Sequence, residues 1–238
     1  MRTALSLLIA LPLIVPGAAL MAQETTSPRL FSLPAGCTAY VTIQSAACGV
    51  SHHFTCEGDP EGLQRRVDLD EGGVSYFGAI DAETQWIEST HVLAGHSERL
   101  EAEPADRASF TALLETGVDT YDFKTLSDEV GVTRFVGQDR LTGNTVTIDG
   151  VVLDETEYAI RALDARGQEM WAASGFEYIS RDFRMFLSGV STITTPEESW
   201  ENDDRPMEFV FPGEPGFLTG SPKFGCGVVM SSYAPGGM

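Results

Sequence analysis

The chain has 238 residues, with 15 Lys and Arg against 35 Asp and Glu and a net charge of −20 at neutral pH. Such a balance repels nucleic acid and anionic lipid headgroups, which sets nucleic-acid binding aside. The length suits one domain or two small ones and is enough to bury a core unaided.

The first residues, MRTALSLLIALPLIVPGAALMAQE, place Arg2 ahead of an apolar run from Ala4 to Val15, and small residues ending GAALMA follow. That is the order of regions in a secretory signal peptide. The run is too short to span a bilayer, and Pro12 and Pro16 interrupt it. Residues 1–22 are therefore expected to be removed after Ala22, with Ala19 as second choice, leaving 14 bases, 35 acids and a charge of about −21. The expected product is exported to the periplasm or the extracellular space and has no transmembrane segment. A flexible start over 23–36, a single β-rich domain over 37–230 and a loose tail over 231–238 complete the expected organisation.

CTAYVTIQSA, from Cys37, is β-rich, and SAACGVSHHFTCEGD (45–59) is the most chemically loaded stretch of the chain. The four cysteines, Cys37, Cys48, Cys56 and Cys226, predict two disulfides in an oxidising compartment. Spacing favours Cys48–Cys56 as a local loop and Cys37–Cys226 as a bridge between the ends. Zinc on Cys48, His52, His53 and Cys56 is the competing reading. Four ligands within nine residues are crowded, adjacent histidines in extended chain point opposite ways, and oxidation removes both thiolates. A disulfide-closed turn with exposed histidines is expected, without a metal.

VDLDEGGVSYFGAIDAETQWIEST reads as three strands joined at Gly72-Gly73 and at Ala82–Thr84. Counted from Asp68 as a calcium loop, it has Gly73 in the sixth place but Ala79 where a bidentate Glu is needed. DLDE (68–71) and EESWENDD (197–204) are read as solvated loops. His91 and His96, in IESTHVLAGHSERL, are read as surface or half-buried. EPADRASFTALLETG then changes period: Phe110, Leu113 and Leu114 form one stripe, and Gly117 is placed as a stop, predicting a helix of about three turns.

From Val118 the β signal persists. Tyr158, Ile160 and Ala162 share a face, as do Phe183, Met185 and Leu187, and Met207, Phe209 and Phe211. Hairpin turns are expected at 139–144, 165–167 and 180–182. YFGAIDAETQW (76–86) and YAIRALDARGQEMW (158–171) repeat one hairpin idiom, with Thr84 and Gly167 at the left-handed position of a type I turn with a bulge. The idiom resembles the repeat of quinoprotein-type β-propellers. There it recurs about every 40 residues, whereas here it occurs twice and marks shared turn chemistry. FPGEPGFLTGSPKFGCG closes the chain as a wrapped, ordered loop.

These elements predict an α+β fold: a curved, mainly antiparallel sheet, a meander forming a partly closed barrel, with one amphipathic helix packed on its concave face. A β-sandwich is the alternative. In architecture the arrangement is similar to periplasmic lipid-carrier half-barrels of the LolA and LolB kind. A non-enzymatic protein binding an apolar small molecule or lipid between sheet and helix is expected, without a cofactor. Phe110, Leu114, Tyr158, Trp171, Phe176, Phe183 and Phe209 are the candidate lining. The alternatives are an envelope accessory protein that binds another protein, and a hydrolytic enzyme. No G-x-S-x-G, H-E-x-x-H, P-loop or G-x-G-x-x-G motif is present.

Overall fold

A computed structural model describes residues 31–227. The expected signal peptide and the tail over 231–238 lie outside the described residues. The strands are β1 (Cys37–Ser45), β2 (Val50–Cys56), β3 (Gln64–Asp70), β4 (Gly73–Ile80), β5 (Trp86–His91) and β6 (His96–Leu100). After α1 (Phe110–Thr116) come β7 (Val118–Ser127), β8 (Gly131–Ile148), β9 (Val151–Leu163), β10 (Glu169–Ser180) and β11 (Met185–Leu187). β12 (Val190–Thr194), β13 (Ser199–Asp203) and β14 (Pro206–Val210) complete the order. No helix among the described residues is long and apolar enough to cross a membrane.

All strands join one antiparallel sheet, ordered β13-β12-β10-β9-β8-β7-β6-β5-β4-β3-β2-β1-β14, with β11 on the end of β10. Successive hairpins lay down the meander, and β14 returns to pair with β1. β13 and β14 are consecutive, joined only by Asp204 and Arg205, yet they stand at opposite ends of the ladder. Among the described residues no ladder connects them, so the sheet is open. Two backbone bonds cross near that link: Asp204 donates to the Gly189 carbonyl and Ala46 to that of Arg205, both at 3.0 Å.

The helix is shorter than its sequence pattern suggests, seven residues or about two turns. Ser109 is the N-cap, and its hydroxyl accepts from Ala112 N–H at 3.1 Å. Glu83, from the β4–β5 turn, accepts from Thr111 N–H (2.8 Å) and Ser109 Oγ (3.0 Å), holding the start of the helix in place. Gly117 ends it at φ 82°. Phe110 and Leu113 are 1% and 0% exposed and pack with Ile179; Leu114 is half-buried against the same cluster.

Two strand assignments also differ from the sequence reading. The expected turn at 139–144 is a bulge inside β8, where the register with β9 shifts between Leu141 and Thr145; the chain turns instead at Asp149-Gly150. EESWENDD is not a solvated loop throughout, since Ser199–Asp203 forms β13 on β12.

The disulfides correct the expected pairing: Cys37 joins Cys56, and Cys48 joins Cys226. The hairpin decides this. Cys37 and Cys56 are direct cross-strand partners at its open end, while Cys48 sits in its turn. The seven residues of β2 separate Cys48 from Cys56 by about 20 Å of extended chain, beyond the reach of a disulfide. Cys48 therefore ties down the C-terminal loop. That loop lies along β1, whose Thr42 Oγ1 accepts from Leu218 N–H (3.0 Å) and whose Gln44 Oε1 accepts from Lys223 N–H (2.9 Å).

Two of the core clusters share β1. Ala39, Val50, Phe54, Val67, Leu69 and Val74 pack under Phe31, Leu33, Phe217 and Leu218. Val41, Ile43, Leu153, Met185, Leu187 and Phe209 form another cluster, with Phe183 against it.

Candidate functional site

Period-two alternation builds a concave wall. On β7, Asp119, Tyr121, Phe123 and Thr125 are buried while Thr120 and Lys124 are exposed. β8 adds Phe135 and Asp139, β9 adds Tyr158 and Ile160, and β10 adds Trp171, Ala173 and Glu177. The result is a cavity of about 560 Å³ that reaches Trp86 on β5 and Trp200 on β13. Strands seven steps apart in the ladder share one cavity, which requires a strongly curved sheet. All three tryptophans of the chain line it.

The rings contact one another. Trp86 meets Phe123 and Phe135 edge-on at 5.6 and 5.1 Å between centroids, and Phe135 lies 6.1 Å from Trp171. Tyr121 lies over Gly137, where a Cβ would come within 2.6 Å of both the Tyr121 ring and the Ala159 carbonyl. Only glycine leaves room for that ring. Phe186 lines the cavity on one side and meets Phe110 of α1 at 5.8 Å on the other, so the helix supports the wall without lining it.

Asp139 and Glu177 are the polar end. Burial raises the Asp139 carboxyl to about 7, and the charge of Asp119 adds to the shift. Burial holds the Glu177 carboxyl well above the usual carboxylate range, and the charge of Asp139 and a hydrogen bond with it act the same way. No Lys or Arg among the described residues contacts either carboxyl. The two carboxyls are hydrogen-bonded to each other, so they titrate as a pair rather than as separate groups.

Of the seven residues expected to line a ligand site, Tyr158 and Trp171 are in this wall. Phe110 and Leu114 pack between helix and sheet, Phe183 and Phe209 belong to the cluster around Val41 and Ile43, and Phe176 is exposed. Sequence reasoning missed Trp86, Tyr121, Phe123, Trp200, Asp139 and Glu177. The alternation rule that grouped Tyr158 with Ile160 also places Glu177 on the face of Trp171, six residues earlier on β10.

His52 and His53 do point to opposite faces, but neither is exposed. His52 stacks on Phe31 at 5.7 Å and shares a 3.0 Å hydrogen bond with Thr42 Oγ1. Burial lowers His52 to about 4; it lowers His53 to about 3, with the Arg66 charge adding to the shift.

No family model, curated protein or solved structure matches this chain. A functional reading therefore rests on the cavity's own geometry.

Proposed function

We propose that this is an exported binding protein whose sheet curls as a partly closed barrel around an apolar or aromatic small molecule bearing one amine. A cavity of about 560 Å³ falls within the range of small-molecule sites. One observation carries the choice of ligand: an aromatic wall ends in two buried carboxyls that have no cationic partner among the described residues. A protonated amine supplies the missing charge, and the tryptophan and tyrosine faces favour the same cation. Two disulfides suit an oxidising compartment, which supports export. A mature mass beginning at Gln23 checks that part of the reading, and a dominant full-length form argues against it.

Tryptophan fluorescence titration with 2-phenylethylamine tests the ligand class, with 2-phenylethanol and 3-phenylpropionate as neutral and anionic counterparts. The amine should quench at millimolar concentration or below, and Asp139→Asn with Glu177→Gln should weaken it at least tenfold. Silence from all three probes, or preference for the carboxylate, overturns the proposal in favour of a protein-interaction role.

A further inference from the structure

The β5–β6 hairpin gathers a second set of functional groups on strands flanking the aromatic cavity. Its turn closes through a 2.8 Å bond from Gly95 N–H to the His91 carbonyl. His91 and His96 flank that turn as direct cross-strand partners, so their side chains emerge together on one face. Glu98, two residues further along β6, shares the face. The imidazole rings stack with centroids 4.6 Å apart, and His96 Nε2 lies 3.6 Å from Glu98 Oε1. One donor atom from each of the three lies within 4.8 Å of the others.

Neighbouring strands hold these groups in place. Tyr76 on β4 packs edge-on to His91 at 5.2 Å, and the Tyr76 ring occupies the space over Gly78, where a Cβ would come within 2.5 Å of Tyr76 Oη. Thr125 Oγ1, on β7, donates to Glu98 Oε2 at 3.0 Å, which leaves Oε1 turned toward His96. Glu129, which accepts from Ser97 N–H at 3.4 Å, adds negative charge beside His96.

We propose that His91, His96 and Glu98 bind a divalent transition metal, with zinc the best chemical match. Two imidazole nitrogens and one carboxylate oxygen are the donors of an open zinc site, which keeps its fourth position for water or an incoming group. Donors at about 2.0–2.1 Å from a tetrahedral ion stand about 3.3 Å apart, so small side-chain rotations bring this set into range. The Thr125–Glu98 bond is then a contact that orients a ligand. The other metal-prone residues do not compete. All four cysteines are in disulfides, and His52 and His53 are buried on opposite faces.

Equilibrium dialysis of the disulfide-intact protein against zinc tests the site, with cobalt substitution as a spectroscopic readout. One zinc per chain is expected at micromolar concentration, and cobalt should give visible bands of a nitrogen- and oxygen-ligated ion. His91→Ala with His96→Ala should abolish both, and Glu98→Gln should weaken zinc at least tenfold. Thr125→Val, which removes no ligand, should weaken it about tenfold. No uptake by the wild type at high-micromolar zinc, or unchanged uptake in the double histidine variant, overturns the proposal. If circular dichroism shows that the double variant is unfolded, Glu98→Gln decides, and unchanged affinity there overturns it. Failure of the amine test leaves this result unaffected, because no ligand residue is shared.

Discussion

On β3, Arg66 stands 3.1 Å from Asp68 and 5.0 Å over the ring of Tyr76, and Asp204, in the β13–β14 link, interacts with the same guanidinium. On β8 and β10, Asp139 and Glu177 face each other with Asp119 nearby and no guanidinium or ammonium among the described residues. The first region is also tied to the rest of the chain, by Cys37–Cys56, by Cys48–Cys226 and by the C-terminal loop along β1. The second carries the aromatic cavity, and two of its tryptophans, Trp86 and Trp200, are 44% and 42% exposed. Buried charge that is already paired belongs to a scaffold. Buried charge without a partner, beside aromatic faces, is suited to receive one from a ligand.

The largest effect that could break this contrast concerns the tethers. Cys48–Cys226 spans 178 residues and Cys37–Cys56 spans 19, so chain entropy assigns them about 5 and about 3 kcal/mol. Replacing Cys48 and Cys226 by Ser should therefore lower stability more in denaturant titration than replacing Cys37 and Cys56. Amine affinity should survive both replacements, because no bridge borders the aromatic cavity. Equal losses, or a non-reducing peptide map linking Cys48 to Cys56, would undo the division between tethered scaffold and binding wall.

A smaller effect separates the two regions by pH. Burial raises Asp139 and Glu177, so the folded state holds protons that the unfolded chain releases. Their contribution is complete below about pH 4 and is lost as pH rises through the folded values. His52 and His53 are lowered, so their contribution is present above about pH 6.5 and is lost as pH falls toward 4 and 3. Above pH 6.5 the histidine contribution is in place while the acid pair goes on losing its own, so stability should fall as pH rises from there to 8. Asp139→Asn with Glu177→Gln should flatten that limb and leave the acid limb of the histidines intact. A fall that persists in the double variant would mean the pair is not the buried, uncompensated site described.

Much of the sheet was legible in the sequence because period-two alternation is strong in strands such as VDTYDFKT, and Gly and Asx residues mark the turns. The 139–144 error arose from good turn residues, Thr142, Gly143 and Asn144, that form a bulge instead. Side-chain bonds from Thr142 and Asn144 to Glu155, each 3.0 Å, hold that bulge against β9. The disulfide pairing was hidden because loop length was weighed without strand register, and register puts Cys37 opposite Cys56. The acid pair was missed for another reason. In a chain with 35 acids each carboxylate reads as solvent-facing, and only the third dimension shows that Asp139 and Glu177 share one enclosed face.

The smallest effect concerns the twin turns that deliver Trp86 and Trp171 to the wall. Both have the same bonds: Thr84 donates to the Asp81 carbonyl and Gly167 to that of Asp164, each at 2.9 Å. Each aspartate carboxylate accepts two further backbone N–H groups, from Glu83 and Gln85 in one turn and from Arg166 and Gln168 in the other. The left-handed residues are Thr84, at φ 65°, and Gly167, at φ 80°. Their surroundings differ. Gln85 Oε1 accepts from Ala108 N–H at 3.0 Å beside the helix, whereas a Cβ at Gly167 would meet nothing within 4 Å. Gly167→Ala therefore tests backbone conformation alone and should cost about 1 kcal/mol. Thr84→Gly relieves a β-branched residue of the same conformation but removes a buried side chain whose hydroxyl donates to the Glu83 carbonyl at 2.6 Å. The two terms oppose, and the net change should be no more than about half that of Gly167→Ala. A larger loss at Thr84 would show that the turn beneath the helix is held by its side chains, and that the two copies share a shape without sharing what stabilises it.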